Sequence, residues 1–176
     1  MFTFFLAALR SLPRAGVLVM FGLAAGGAAQ AAPAAGTVAG AAAVYAQECA
    51  SCHTAYPAGM LPARSWERVM NGLEKHFGTD ASVDAATVRQ LSGWLQANAG
   101  TYKRVAEEPP QDRITRSAWF LRKHHEIDPS VWKAASVKTA ANCAACHTQA
   151  DQGNFSERQL KVPAGLTPRQ QRSFND

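Results

Sequence analysis

Cys49 and Cys52 are separated by two residues and followed directly by His53, and Cys143, Cys146 and His147 repeat the arrangement further along the chain. Two thiols at this spacing on one helical turn can form thioethers to the two vinyl groups of a single haem, while the histidine that follows places an imidazole beneath the iron. The two copies consume all 4 cysteines of the chain. The cysteine arithmetic therefore predicts two covalently bound haem c groups rather than a disulfide framework.

Other uses of these cysteines need something the sequence lacks. A thioredoxin-like pair belongs in a strand-helix setting, and no strand-length alternating segment is present. A zinc site would pool both motifs into one cluster of four cysteines, or of two cysteines and two histidines.

The second axial ligand decides what each iron can do. Methionine or histidine closes the site and gives a low-spin electron carrier, whereas an open position admits oxygen or peroxide. The candidates beyond the N-terminal leader are Met60, Met70, His76, His124 and His125. His76 is the choice for the first haem, because it falls on an apolar stripe beside the motif. Met60 is close in sequence to His53 and would have to cross to the far side of the ring, and Met70 sits at helical core spacing, so both read as packing residues. Neighbours on a helix point about 100° apart, so only one of His124 and His125 can face an iron. His124 lies over Phe120 and Leu121 at the four- and three-residue steps and is preferred; His125 reads as solvated or as support for the ligand. Paired imidazoles hold both oxidation states six-coordinate and favour lower potentials than methionine ligation. Tyr45, Trp66, Trp94, Trp119 and Phe155 are expected to fence the rings from water.

These residues must be positioned by helices. One is expected from about Ala41 into the first motif, followed by a loop over 55–61 containing Pro57 and Gly59. Pro62 then opens a helix carrying Trp66, Val69, Met70, Leu73 and Phe77 at helical spacing, with His76 on that stripe and Gly78 ending it. Asp84 is placed to cap a further helix bearing Val88, Leu91, Trp94 and Leu95. The polar, proline-broken stretch from Glu107 to Asp112 is the best linker candidate, and Asp128-Pro129 looks like another helix start. The fold class predicted is mainly α, with two small haem-binding lobes over 41–104 and 105–176, the second including a linker over 105–113. They are not a tandem repeat: the spare histidine follows the motif in the first lobe and precedes it in the second.

The 176 residues also include a targeting segment. Arg10 and Arg14 precede an uncharged apolar run over 15–29, and Ala29-Gln30-Ala31 fits the small-x-small cleavage rule, so 1–31 reads as a signal peptide and 32–40 as a flexible leader. The run is too short for a spanning helix, which needs about 20 residues, so no stable membrane insertion is expected after cleavage. Loss of Arg10 and Arg14 lowers the formal charge from +5 to +3. The remaining basic residues are scattered, which excludes a nucleic-acid partner.

With these residues in place the sequence resembles the dihaem cytochrome c family. The likeness runs from about Val44 to Pro163 and rests on Glu48-Cys49-Ala50-Ser51-Cys52-His53, Ala55-Tyr56-Pro57, His76-Phe77-Gly78, Trp119-Phe120 ahead of His124, Asn142-Cys143-Ala144-Ala145-Cys146-His147 and Gly153-Asn154-Phe155. The resemblance implies a first lobe like a class I cytochrome c, a less regular second lobe with short helices, and two bis-histidine haems in a periplasmic carrier. It also implies redox partners: a small oxygen-binding monohaem cytochrome c and a membrane b-type cytochrome. This chain departs from the family pattern in carrying histidine at 125, which leaves the choice between 124 and 125 open.

The function expected is electron transfer between redox partners, not catalysis, and no residue is given a catalytic role. The alternative is a dihaem peroxidase-like enzyme with an open distal site, a type considerably longer than this chain. A haem-based gas sensor would need an output domain, and none is visible in the sequence.

Overall fold

Alanine, the best helix former, fills the segment ahead of the first motif. In the computed structural model, which describes residues 38–175, this segment is helix α1 (Val38–Cys49). The helix starts at Val38 rather than at Ala41, so the last residues assigned to the leader are helical. The signal peptide expected over 1–31 lies outside the described residues.

Helix α2 (Ala63–Met70) follows Pro62, and helix α3 (Ala85–Ala97) follows Asp84. The Asp84 carboxylate accepts hydrogen bonds from the Ala86 and Thr87 amides, satisfying two donors that the first turn leaves open. Helix α3 packs against both α1 and α2. Their shared core holds Tyr45, Leu61, Trp66, Met70, Leu91 and Leu95, all buried. Its two polar tips are satisfied: Trp66 Nε1 donates to the Ala58 carbonyl at 2.7 Å and Tyr45 Oη to the Tyr56 carbonyl at 2.6 Å.

Helix α2 is shorter than the apolar stripe predicts. It stops at Met70 because Asn71 and Gly72, both weak helix formers, follow in succession. His76 therefore does not lie on a helix. It follows a single 3-10 turn, Leu73–Lys75, and forms an isolated bridge with Thr79 across Phe77 and Gly78, which take positive φ of 51° and 103°. Gly78 serves this tight reversal rather than a helix end. Phe77, expected in the stripe, is 46% exposed, with the Arg113 guanidinium 4.4 Å from its ring centre.

The stretch read as a linker is pinned to α2. Arg68 donates from Nη2 to Glu108 Oε2 and Asp112 Oδ1, both at 2.7 Å, and from Nε to Asp112 Oδ2 at 2.9 Å. One proline pair and a partner distant in sequence turn a polar segment into a docked strap.

Beyond it the backbone runs mostly in 3-10 turns, with two short helices, α4 (Ala118–Lys123) and α5 (Pro168–Arg172). The Ser117 hydroxyl caps α4 by accepting from the Phe120 amide, and a Thr167–Gln170 capping box opens α5. Asp128-Pro129 leads into a 3-10 turn, Val131–Lys133, rather than an α-helix. A second core gathers Val131, Val137, Ala145 and Leu166. The architecture is thus mainly α, without strands among the described residues, and the described residues form one compact unit around these two clusters. No helix among them is long and apolar enough to cross a membrane.

Candidate haem-binding sites

The end of α1 delivers Cys49 to the edge of the first core, and the turn that follows carries Cys52 and His53 outward. His53 Nδ1 lies 2.7 Å from the Thr54 carbonyl. A carbonyl only accepts, so Nδ1 carries the proton and Nε2 keeps its lone pair for a metal. The His76 turn brings a second imidazole opposite, with ring centres 6.1 Å apart and planes 16° from parallel. Two imidazoles bound through Nε2 on either side of one metal, at about 2 Å each, have ring centres roughly 6 Å apart. The spacing fits a shared iron.

The second motif repeats that spacing by a different route. Cys143 opens a 3-10 turn, Cys143–Ala145, and the His147 amide donates back to the Cys143 carbonyl at 2.8 Å. Helix α4 supplies the opposing side chain. His124 follows its last residue, donates from Nδ1 to the Phe120 carbonyl at 2.9 Å and stacks on the Phe120 ring at 4.0 Å. Its ring centre is 6.2 Å from that of His147, with the planes 75° apart. Cys143, Cys146, His147 and His124 together line one cavity of about 440 Å³, walled also by Trp119, Phe120, Trp132 and Phe155. That volume lies within the range of small-molecule and cofactor sites. His125 points elsewhere: it is exposed and sits 3.6 Å from Glu126. Leu121, read as part of the surface beneath His124, is 57% exposed, so Phe120 alone supplies the stack.

The electrostatics suit metal binding by imidazole. Burial lowers the pKa of His76, His124 and His147, with smaller contributions from His53 and Arg113 at His76 and from His124 at His147. At His124 the bond to Phe120 opposes the burial effect without cancelling it. All three are held in the neutral form that ligates. Burial, aided by Glu48, pushes the Cys49 thiol up to about 11; burial also pushes Cys143 up to about 11 and raises Cys146. A redox Cys-x-x-Cys pair works through a lowered thiol pKa, the opposite shift. All four cysteines are free of disulfide bonds. Among the described residues no three His, Cys, Asp or Glu side chains gather where they could hold an ion, so the two motifs form no pooled zinc cluster.

Met60 and Met70 are both buried. Met70 belongs to the first core, whereas Met60 lines the cavity that holds His124 and His147. Trp132 escaped the sequence reading, and Tyr56 entered it only within the Ala55-Tyr56-Pro57 likeness, without a role. Trp132, 5.8 Å from the His124 ring, was signalled only by the apolar pair Val131-Trp132 after a turn. Tyr56 stacks on His53 at 4.9 Å and donates to the Ala141 carbonyl at 2.6 Å, a contact that no local pattern encodes.

Residues 45–155 match the family described as dihaem cytochrome c. Among solved structures, a dihaem cytochrome c of Shewanella baltica shares 34% identity, covering 70% of this chain and 94% of its own, with a TM-score of 0.62. A Rhodobacter sphaeroides dihaem cytochrome c shares 42% identity over 64% of this chain and 96% of its own, with a TM-score of 0.55. A second structure of the Rhodobacter sphaeroides protein gives 41% and 0.57. No curated protein matches the chain. With both attachment motifs present and each histidine pair spaced for one iron, the chain belongs to the dihaem cytochrome c family, whose cofactors are two covalently bound haem c groups.

Proposed function

We propose that this protein is a periplasmic electron carrier, not an enzyme, whose two haems are each held between two histidines. Cys49 and Cys52 would anchor the first by thioethers and His53 and His76 would ligate its iron; Cys143 and Cys146 would anchor the second, with His147 and His124 ligating its iron. The observation that carries this reading is the recurrence of one imidazole spacing, 6.1 Å and 6.2 Å, beside two motifs positioned by unrelated backbone. When bound, each haem supplies a one-electron ferric/ferrous couple.

The chain's own residues do the rest. An imidazole on either side keeps the ligand set unchanged between oxidation states, so little has to move when an electron arrives. The carbonyls of Thr54 and Phe120 fix the tautomer and ring direction of His53 and His124. Phe120, Trp132 and Phe155 exclude water around His124 and His147. Export by the leader at 1–31 places the carrier where a small oxygen-binding monohaem cytochrome c and a membrane b-type cytochrome can exchange electrons with it.

Purified holoprotein tests the reading directly. The expected result is a pigment that resists acid-acetone extraction, low-spin ferric spectra for both haems, and negligible peroxide turnover. A high-spin ferric band with rapid peroxide consumption would favour the peroxidase-like alternative.

A further inference from the structure

Tyr56 touches both His53, the motif histidine of the first site, and the segment that carries the second motif. Its ring lies 4.9 Å from that of His53, with planes 21° apart. Its hydroxyl donates at 2.6 Å to the carbonyl of Ala141, two residues ahead of Cys143 and 85 residues away in sequence. Its own carbonyl accepts the Tyr45 hydroxyl, which ties this loop to the first core. The adjoining Pro57 lines a small cavity shared with Phe155, the residue 5.6 Å from His147. The phenol is partly buried, and the Ala141 carbonyl can only accept, so the hydroxyl is the donor.

We propose that Tyr56 is a positioning residue that couples the two iron sites electronically: its ring on His53 and its hydrogen bond to Ala141 form the connected path from the first proximal imidazole to the Cys143 attachment. The inference rests on the electron-carrier reading above. In the exchange it assists, one electron leaves the ferrous site and reduces the ferric site; no bond breaks, and the phenol keeps its proton and its closed shell throughout. A chain of stacked and hydrogen-bonded atoms decays in coupling more slowly than an empty gap of the same length, which gives the hydroxyl a measurable role.

The test uses holoprotein with Tyr56→Phe and Tyr56→Leu. The first keeps the ring on His53 and deletes only the hydrogen bond; the second deletes both contacts. In the half-reduced protein, electron exchange between the two sites is read by magnetisation exchange between their NMR signals, alongside both potentials and the ferric EPR spectrum. Tyr56→Phe is expected to slow exchange severalfold with the EPR signal of the His53 site unchanged. Tyr56→Leu is expected to slow it further and to shift that signal, because the His53 ring loses its stacking partner. Unchanged exchange in both variants overturns the proposal, and so does a change confined to the potentials. Wild-type protein lacking two low-spin six-coordinate sites would instead overturn the electron-carrier reading.

Discussion

The imidazoles of His124 and His147 face each other at 6.2 Å with their planes crossed by 75°, whereas those of His53 and His76 are turned only 16°. In low-spin ferric iron, aligned imidazole planes donate into one of two π-type d orbitals and split the pair; crossed planes donate into both and leave them nearly degenerate. The ferric holoprotein is therefore expected to show two low-spin EPR species, a rhombic one from the His53/His76 site and a highly anisotropic one from the His124/His147 site. Two indistinguishable rhombic signals would contradict the plane angles.

Single substitutions assign those signals. His76→Ala is expected to remove the rhombic species and His124→Ala the anisotropic one, in each case leaving the other low-spin site intact. His125→Ala should change neither, because its ring is exposed beside Glu126. Retention of both low-spin signals in His124→Ala, with loss of one in His125→Ala, would reverse the ligand assignment.

Much of this arrangement was legible because it is local. The cysteine motifs, the Asp84 cap and the placement of His124 over Phe120 all follow from spacings of two to four residues. The turn that presents His76 was not legible in the same way. Leu73 and Phe77 continue the apolar period of α2, while Asn71 and Gly72 interrupt it, and only the folded chain shows that the interruption wins. The strap held by Arg68 and the bridge made by Tyr56 were hidden for another reason. Their partners lie 44 and 85 residues away, and composition alone reads a docked polar segment as a linker.

That strap carries a pH dependence. The Arg68 guanidinium beside Asp112 holds its carboxyl below the ordinary 3.8, against a smaller opposing effect of burial. A depressed folded-state value means that the contribution to stability is complete above the unfolded value and is lost as pH falls through the folded one. Arg68→Ala is expected to lower Tm modestly at neutral pH, since its partners are partly exposed. The gap to wild type should close in acid, once Asp112 is protonated in both proteins. Thermal melts across the acid range check this; a gap that stayed constant down to the lowest pH would show that the pair contributes nothing through charge.

Of the described glycines, Gly100 leaves the least room for a side chain, and Gly93 offers its control. The Gly100 amide donates to the Leu61 carbonyl at 2.9 Å, and a Cβ there would lie 2.5 Å from the Gly59 carbonyl oxygen and 2.6 Å from Val105 Cγ2. Relief needs movement of the backbone turn Ala58–Met60, because one of the two obstructions is a carbonyl. Gly100→Ala is accordingly expected to cost about 1–3 kcal/mol, the range for overpacking a filled site. Gly93 lies inside α3 with nothing within 4 Å of its Cβ position, so Gly93→Ala should stabilise by about 1 kcal/mol through helix propensity. Denaturant unfolding of both variants gives the comparison. A Gly100→Ala protein within about 0.5 kcal/mol of wild type, the range of ordinary surface substitutions, would mean that the Ala58–Met60 turn yields freely and does not brace the wall to which Met60 contributes.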